Sequence, residues 1–79
     1  MLDEAIYTKL TQVFEDTFDE AISLRPNLTA EEVEGWDSVQ HIRLILNVEK
    51  AFGVRFSASE VGEPRNIGEL VEMIKGKVP

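Results

Sequence analysis

The apolar residues between Val39 and Phe52 constrain the fold more than any other part of the sequence, because they recur at helical spacing and stop at a glycine. Gly53 easily takes the left-handed conformation that follows a helix. The segment therefore predicts a helix with Asp37 or Ser38 as its N-cap. At about 100° per residue, one side of this helix gathers a set of residues that must enter a core. These are Leu44, Ile45, Val48 and Phe52.

Three further helices are predicted from the same spacing and from capping signals. The first runs from about Asp3 to about Asp19, with Pro26 closing the region that follows it. Its apolar stripe is Leu2, Ile6, Leu10, Val13, Phe14 and Ala21. Residues 57–60 begin one short helical turn that Pro64 ends, and Asn66 caps a last helix. The inner face of that helix is predicted to hold Ile67, Leu70, Val71 and Ile74.

The connection between the first two long helices is predicted to be a structured loop rather than a flexible linker. It covers residues 25–37 and contains a proline, an asparagine and a glycine. Within it, Thr29 and Glu32 have the spacing of a one-turn capping box.

Size and composition bound the function. A chain of 79 residues without cysteine has no disulfide or thiolate metal site and little room for an enzyme-sized pocket. We expect residues 1–79 to form one domain that is monomeric and cytoplasmic. A secretion leader and membrane insertion are not expected, because Leu2-Asp3-Glu4 is already acidic and no long apolar run is present. A net charge of −7 repels nucleic acid and attracts basic protein surfaces.

A second apolar stripe lies on the other side of the predicted second helix. Val39, Ile42 and Leu46 share this side with Glu49, away from the core residues. In so small a domain we expect the stripe to be partly exposed, as a docking face for a partner would be. The alternative is that the neighbouring loop folds over it.

Ser38 stands at the start of the same helix. A serine there is most often just an N-cap. A phosphate attached at this position, however, would lie near unpaired amide groups and the positive end of the helix, where negative charge is favoured. The position therefore suits a phosphodiester.

Gly35-Trp36-Asp37-Ser38-Val39, followed by the apolar pattern up to Gly53, resembles the phosphopantetheine attachment region of acyl carrier proteins. Their Asp-Ser-Leu triplet is matched here by Asp-Ser-Val. The resemblance implies an all-α, four-helix bundle with a long loop between the first two helices and a short third helix. It also implies that Ser38 carries 4′-phosphopantetheine and that Asp37 helps a phosphopantetheinyl transferase to bind metal and cofactor. The partners implied are that transferase and the enzymes that load and transfer acyl groups.

The sequence departs from this family in ways that concern specificity. Arg43 and Lys50 stand where fatty-acid carriers have acidic residues, leaving Glu49 as the main acid of the docking face. The predicted docking residues are Val39, Ile42, Arg43, Leu46 and Glu49. These features suggest a specialised, free-standing member of the family. His41 is expected to be packed or hydrogen-bonded on the core side, near where an acyl chain would enter, and Trp36 to cover the loop rather than touch the arm.

Other functions were weighed against the carrier. A hydrolase built on Ser38, His41 and Asp37 is not expected, because Asp37 and His41 lie on different sides of the helix start and no glycine-rich nucleophile turn is present. No spacing indicates a metal site. An aminoacyl or peptidyl carrier, and an unmodified helical adaptor that binds through the apolar stripe, stay open at this point.

Overall fold

Four α-helices and one 3₁₀ turn make up the regular structure of residues 2–78, the part that the computed structural model describes. The helices are α1 (Asp3–Phe18), α2 (Ser38–Phe52), α3 (Ala58–Val61) and α4 (Ile67–Lys75), and the 3₁₀ turn is Ala30–Glu32. These residues contain no strand. The predicted helical bundle, with its long first loop and short third helix, is confirmed.

The core lies where α1 packs against α2 and α4. It contains every residue predicted for the inner faces of α2 and α4 except Phe52, which is half-buried. The buried apolar residues are Ile6, Leu10, Val13, Phe14, Leu28, Val33, Leu44, Ile45, Val48, Ile67, Leu70, Val71 and Ile74. Within the described range, no helix has the length and apolar character needed to cross a membrane.

Helix α1 ends at Phe18, close to its predicted end at about Asp19. Asp19 has a φ of 58°, and its amide donates to the carbonyl of Glu15 at 2.8 Å. This left-handed conformation turns the chain out of the helix. Ala21, predicted to extend the stripe, therefore lies outside the helix and is exposed.

The loop before α2 is structured, as predicted, and contacts at two places hold it. Thr29 and Glu32 form the capping box, and Arg25 pairs with Glu32. The amide of Gly68 donates to the carbonyl of Pro26 at 2.8 Å, and a Cβ at Gly68 would meet that oxygen at 3.1 Å. A glycine is therefore suited to this close approach between the loop and α4.

Helix α3 is the short helical turn that the sequence predicts. It begins with a capping box between Ser57 and Glu60. It ends at Val61, before Pro64 is reached, with Gly62 as its C-cap. The low helix propensity of glycine is sufficient to stop a helix of a single turn.

Candidate functional site

Asp37, and not Ser38, caps α2. The backbone of Asp37 is extended, and its Oδ1 accepts a hydrogen bond from the amide of Gln40 at 2.9 Å. The sequence allowed either residue to be the cap, and the structure assigns this role to Asp37. The most common explanation for a serine at a helix start therefore does not apply to Ser38.

Ser38 is the first residue of α2 and is exposed. Its hydroxyl has no hydrogen-bond partner among residues 2–78. It lies in an open groove of about 440 Å³. The groove is lined by Ala30, Trp36, Asp37, Ser38, His41 and Ile42. A group attached to this hydroxyl would leave the helix at its positive end, with the groove beside it.

The turn before Ser38 depends on a glycine. Gly35 has a φ of 87°, a conformation that residues with a Cβ rarely adopt. The amide of Trp36 donates to the carbonyl of Val33 at 3.2 Å, and that of Asp37 to the carbonyl of Gly35 at 3.1 Å. This tight turn brings the Trp36 ring beneath the start of α2.

The Trp36 ring joins the groove to the core. It packs edge-on against Phe14, with ring centroids 5.3 Å apart, and lies 5.7 Å from Phe18. On its other side it stacks on His41 at 6.0 Å, with 18° between the ring planes. Trp36 thus has the packing role predicted for it.

His41 is hydrogen-bonded through both ring nitrogens. The indole Nε1 of Trp36 donates to His41 Nδ1 at 3.1 Å, and His41 Nε2 lies 2.6 Å from the carbonyl oxygen of Val61 in α3. Since an indole N–H is only a donor, Nδ1 must be the unprotonated nitrogen, and Nε2–H donates to Val61. Neither nitrogen is available as a base for Ser38, which agrees with the rejection of a hydrolase.

The apolar stripe of α2 is exposed to solvent. Val39 is 70 % exposed, Ile42 51 % and Leu46 52 %, so the loop does not fold over them. Arg43 and Lys50 are exposed beside the stripe and form no ion pair within the described residues. The structure thus gives these five residues a common accessible face. Their role in docking stays a prediction.

Glu49 occupies a different environment from the rest of the predicted docking face. It is half-buried, and its Oε2 accepts a hydrogen bond from the amide of Phe56 at 2.8 Å. Its side chain therefore holds the segment between α2 and α3. This contact requires a loop conformation that helical periodicity does not specify.

Three polar contacts between separate elements have partners that the sequence did not indicate. Asn47 on α2 donates to the buried Thr17 on α1 at 2.9 Å. Lys77, after α4, pairs with Glu60 of α3 at 3.0 Å. The third is the bond from His41 to Val61. Each joins separate elements, so spacing along one element gave no signal for it. Among residues 2–78, no cluster of three or more His, Asp or Glu side chains could hold a metal ion.

The fold and site together define a small helical carrier, with an exposed serine at the head of its second long helix. The family model described as "phosphopantetheine attachment site" matches residues 8–74, and the chain belongs to this family. A search of curated proteins gives no significant match. The structure is similar to the solution NMR structure of a holo acyl carrier protein from Geobacter metallireducens, with a TM-score of 0.82 and 29 % sequence identity, covering 90 % of this chain and 83 % of that one.

These comparisons establish the class of the protein. It is a carrier protein of the acyl-carrier type and not an enzyme, and its prosthetic group is 4′-phosphopantetheine. The residues present fit that group, because an exposed hydroxyl without a capping role stands at a helix N-terminus beside an open groove. The prosthetic group supplies a terminal thiol that can form a thioester.

Proposed function

We propose that Ser38 carries the 4′-phosphopantetheine arm and that the chain holds an acyl group on it as a thioester. The observation that supports Ser38 most strongly is the capping of α2 by Asp37, which leaves the serine hydroxyl accessible. The other serines are less suited. Ser57 caps α3 and is hydrogen-bonded to Ser59, while Ser23 lies in the loop after α1 without a helix start beside it.

The start of α2 is also suited electrostatically to a phosphodiester. The first amide groups of an α-helix have no partner within the helix, and the helix dipole places partial positive charge there. Asp37 uses one carboxylate oxygen for the cap and is otherwise exposed. It can therefore contribute to the metal and cofactor site of a transferase that approaches Ser38.

The partners of such a carrier are a phosphopantetheinyl transferase and the enzymes that load and transfer the acyl group. We assign their docking to the exposed face formed by Val39, Ile42, Arg43, Leu46 and Lys50. An exposed apolar stripe with flanking charge is suited to reversible association, since charge steers the encounter and apolar contact stabilises it. The two cations favour partners that present acidic groups. Glu49 acts here by holding the loop that borders this face.

The proposed function is tested on protein purified from its native cells. We expect an intact mass that includes the phosphopantetheinyl increment, together with a further mass that hydroxylamine removes, because hydroxylamine cleaves thioesters. The released hydroxamate identifies the cargo and separates an acyl group from an aminoacyl group. An arm whose additional mass resists hydroxylamine would contradict the thioester, and protein without any arm would contradict the carrier assignment.

A further inference from the structure

Two cavities meet at the rings of Trp36 and His41. The outer one is the open groove beside Ser38. The inner one has a volume of about 50 Å³, is lined also by Pro64, Arg65 and Asn66 just before α4, and reaches the buried side chain of Leu70. Ala30, Trp36 and His41 line both cavities and therefore form the partition between them.

Hydrogen bonds and aromatic packing hold the side chains of the partition in place. Trp36 donates to His41, and His41 donates to the carbonyl of Val61, so the pair connects the loop, α2 and α3. Behind Trp36, the rings of Phe14 and Phe18 prevent it from moving toward the core. A chain that passed from the groove into the bundle would have to separate these rings.

We propose that the Trp36–His41 pair is a barrier that keeps the cargo of the Ser38 arm outside the bundle, which makes the chain a carrier of short or polar acyl groups. This inference rests on the proposed attachment at Ser38. It assigns to His41 and Trp36 a part in determining which acyl groups the carrier accommodates.

The physical reason is a comparison of the two places where an acyl chain could lie. Entry into the bundle would break both hydrogen bonds of His41 and leave polar ring atoms in an apolar interior, which is unfavourable. The inner cavity is also too small for a long alkyl chain without displacement of core side chains. In the open outer groove, a long alkyl chain would stay largely in water. A short or polar acyl group avoids both costs.

The barrier can be tested by loading the unmodified protein with acetyl, butyryl or octanoyl arms from the corresponding coenzyme A thioesters, using a phosphopantetheinyl transferase. Intact mass confirms each product. We expect the melting temperature of the wild type to be the same, within about 2 °C, for all three arms, since none enters the core. The emission of Trp36, the single tryptophan, should also be independent of chain length.

His41→Ala removes the barrier. In this variant the octanoyl arm should raise the melting temperature by about 4 °C or more relative to the acetyl arm, because its methylene groups gain access to an apolar interior. His41→Gln is the matched control, because an amide can accept from Trp36 and donate to Val61, and it should behave like the wild type. If circular dichroism shows that His41→Ala is unfolded, Trp36→Phe replaces it, since this change keeps a ring and removes the hydrogen bond.

Each result has a defined meaning. A wild-type melting temperature that rises with chain length would overturn the barrier while leaving the carrier function intact. A folded His41→Ala variant without the chain-length effect would overturn the role of His41. A wild-type protein that gains no mass from any of the three thioesters would overturn attachment at Ser38, and with it this inference.

Discussion

The carboxylate of Asp37 accepts a hydrogen bond from the amide of Gln40 at 2.9 Å and so spans Ser38, the residue that begins α2. Two neighbouring polar residues thereby have separate tasks. Asp37 stabilises the helix start, and the exposed Ser38 does not serve as the cap.

Because Asp37 caps α2 and Ser38 does not, substitutions at these two residues should have different effects on stability. Asp37→Ala should lower the free energy of unfolding by about 1 kcal/mol, because it removes the cap. Ser38→Ala should change it by only about a few tenths of a kcal/mol, because alanine is favourable inside a helix. Asp37→Asn keeps an oxygen acceptor and is the control. Urea unfolding measures all three, and equal losses for Asp37→Ala and Ser38→Ala would show that the serine shares in capping.

The exposed stripe of α2 predicts a contrast between two neighbouring positions. Ile42→Asp should leave the fold intact, because Ile42 is 51 % exposed. Leu44→Asp should unfold the domain, since Leu44 is fully buried and a carboxylate there would have no partner. Circular dichroism measures folding in both. Transferase kinetics on Ile42→Asp then report docking: unchanged kcat/KM would remove Ile42 from the docking face, and unfolding would place it in the core.

The cations beside the stripe predict a change in partner preference. Arg43→Glu and Lys50→Glu should each alter the association rate with loading enzymes, and the difference from wild type should shrink as salt is added. Arg55→Glu is the matched control, because Arg55 is also exposed but lies beyond the end of α2. Stopped-flow association at several salt concentrations provides the measurement. Equal effects from all three reversals would indicate a response to net charge instead of a specific face.

Stability at acid pH should depend on Glu60. The Ser57 amide and the Lys77 ammonium lower the pKa of Glu60 below its ordinary value of 4.5. The carboxylate therefore contributes stability above about pH 4.5, and this contribution is lost as the pH falls through the lowered folded-state pKa. Melting temperatures between pH 7 and pH 3 should consequently fall less in Glu60→Gln than in the wild type.

The control for this pH series is Glu63→Gln. The carboxylate of Glu63 has no hydrogen bond or ion pair within the described residues. The melting temperature of this variant should therefore fall with pH as much as that of the wild type. If the melting temperature of Glu60→Gln fell with pH as much as that of the wild type, the contacts of Glu60 would not contribute to the loss of stability at acid pH.

Local signals in the sequence predicted most of the fold. The caps at Thr29, Ser57 and Asn66 and the stop at Gly53 use hydrogen bonds or backbone conformations within a few residues, so residue type alone indicates them. The end of α1 was likewise predicted close to Asp19, its C-cap, whereas Ala21, assigned to the apolar stripe of this helix, lies beyond it and is exposed.

The candidate site was only partly predictable. Ser38, Asp37 and the exposed stripe follow from motif and periodicity. The bond from His41 to Val61 joins residues 20 positions apart, and it forms only once α3 has packed beside α2. The contact of Glu49 likewise forms only when the segment before α3 brings the Phe56 amide to its carboxylate. Helical spacing places a side chain on a face but does not identify its partner on another element.

Attachment at Ser38 is tested most directly by incubating the unmodified protein with a phosphopantetheinyl transferase and coenzyme A, followed by intact mass and peptide mapping. We predict one phosphopantetheinyl increment, mapped to Ser38, in the wild type. The Ser38→Ala variant should show none, although circular dichroism should find it folded. An increment that persists in Ser38→Ala, or that maps to Ser23, Ser57 or Ser59, would contradict the assignment.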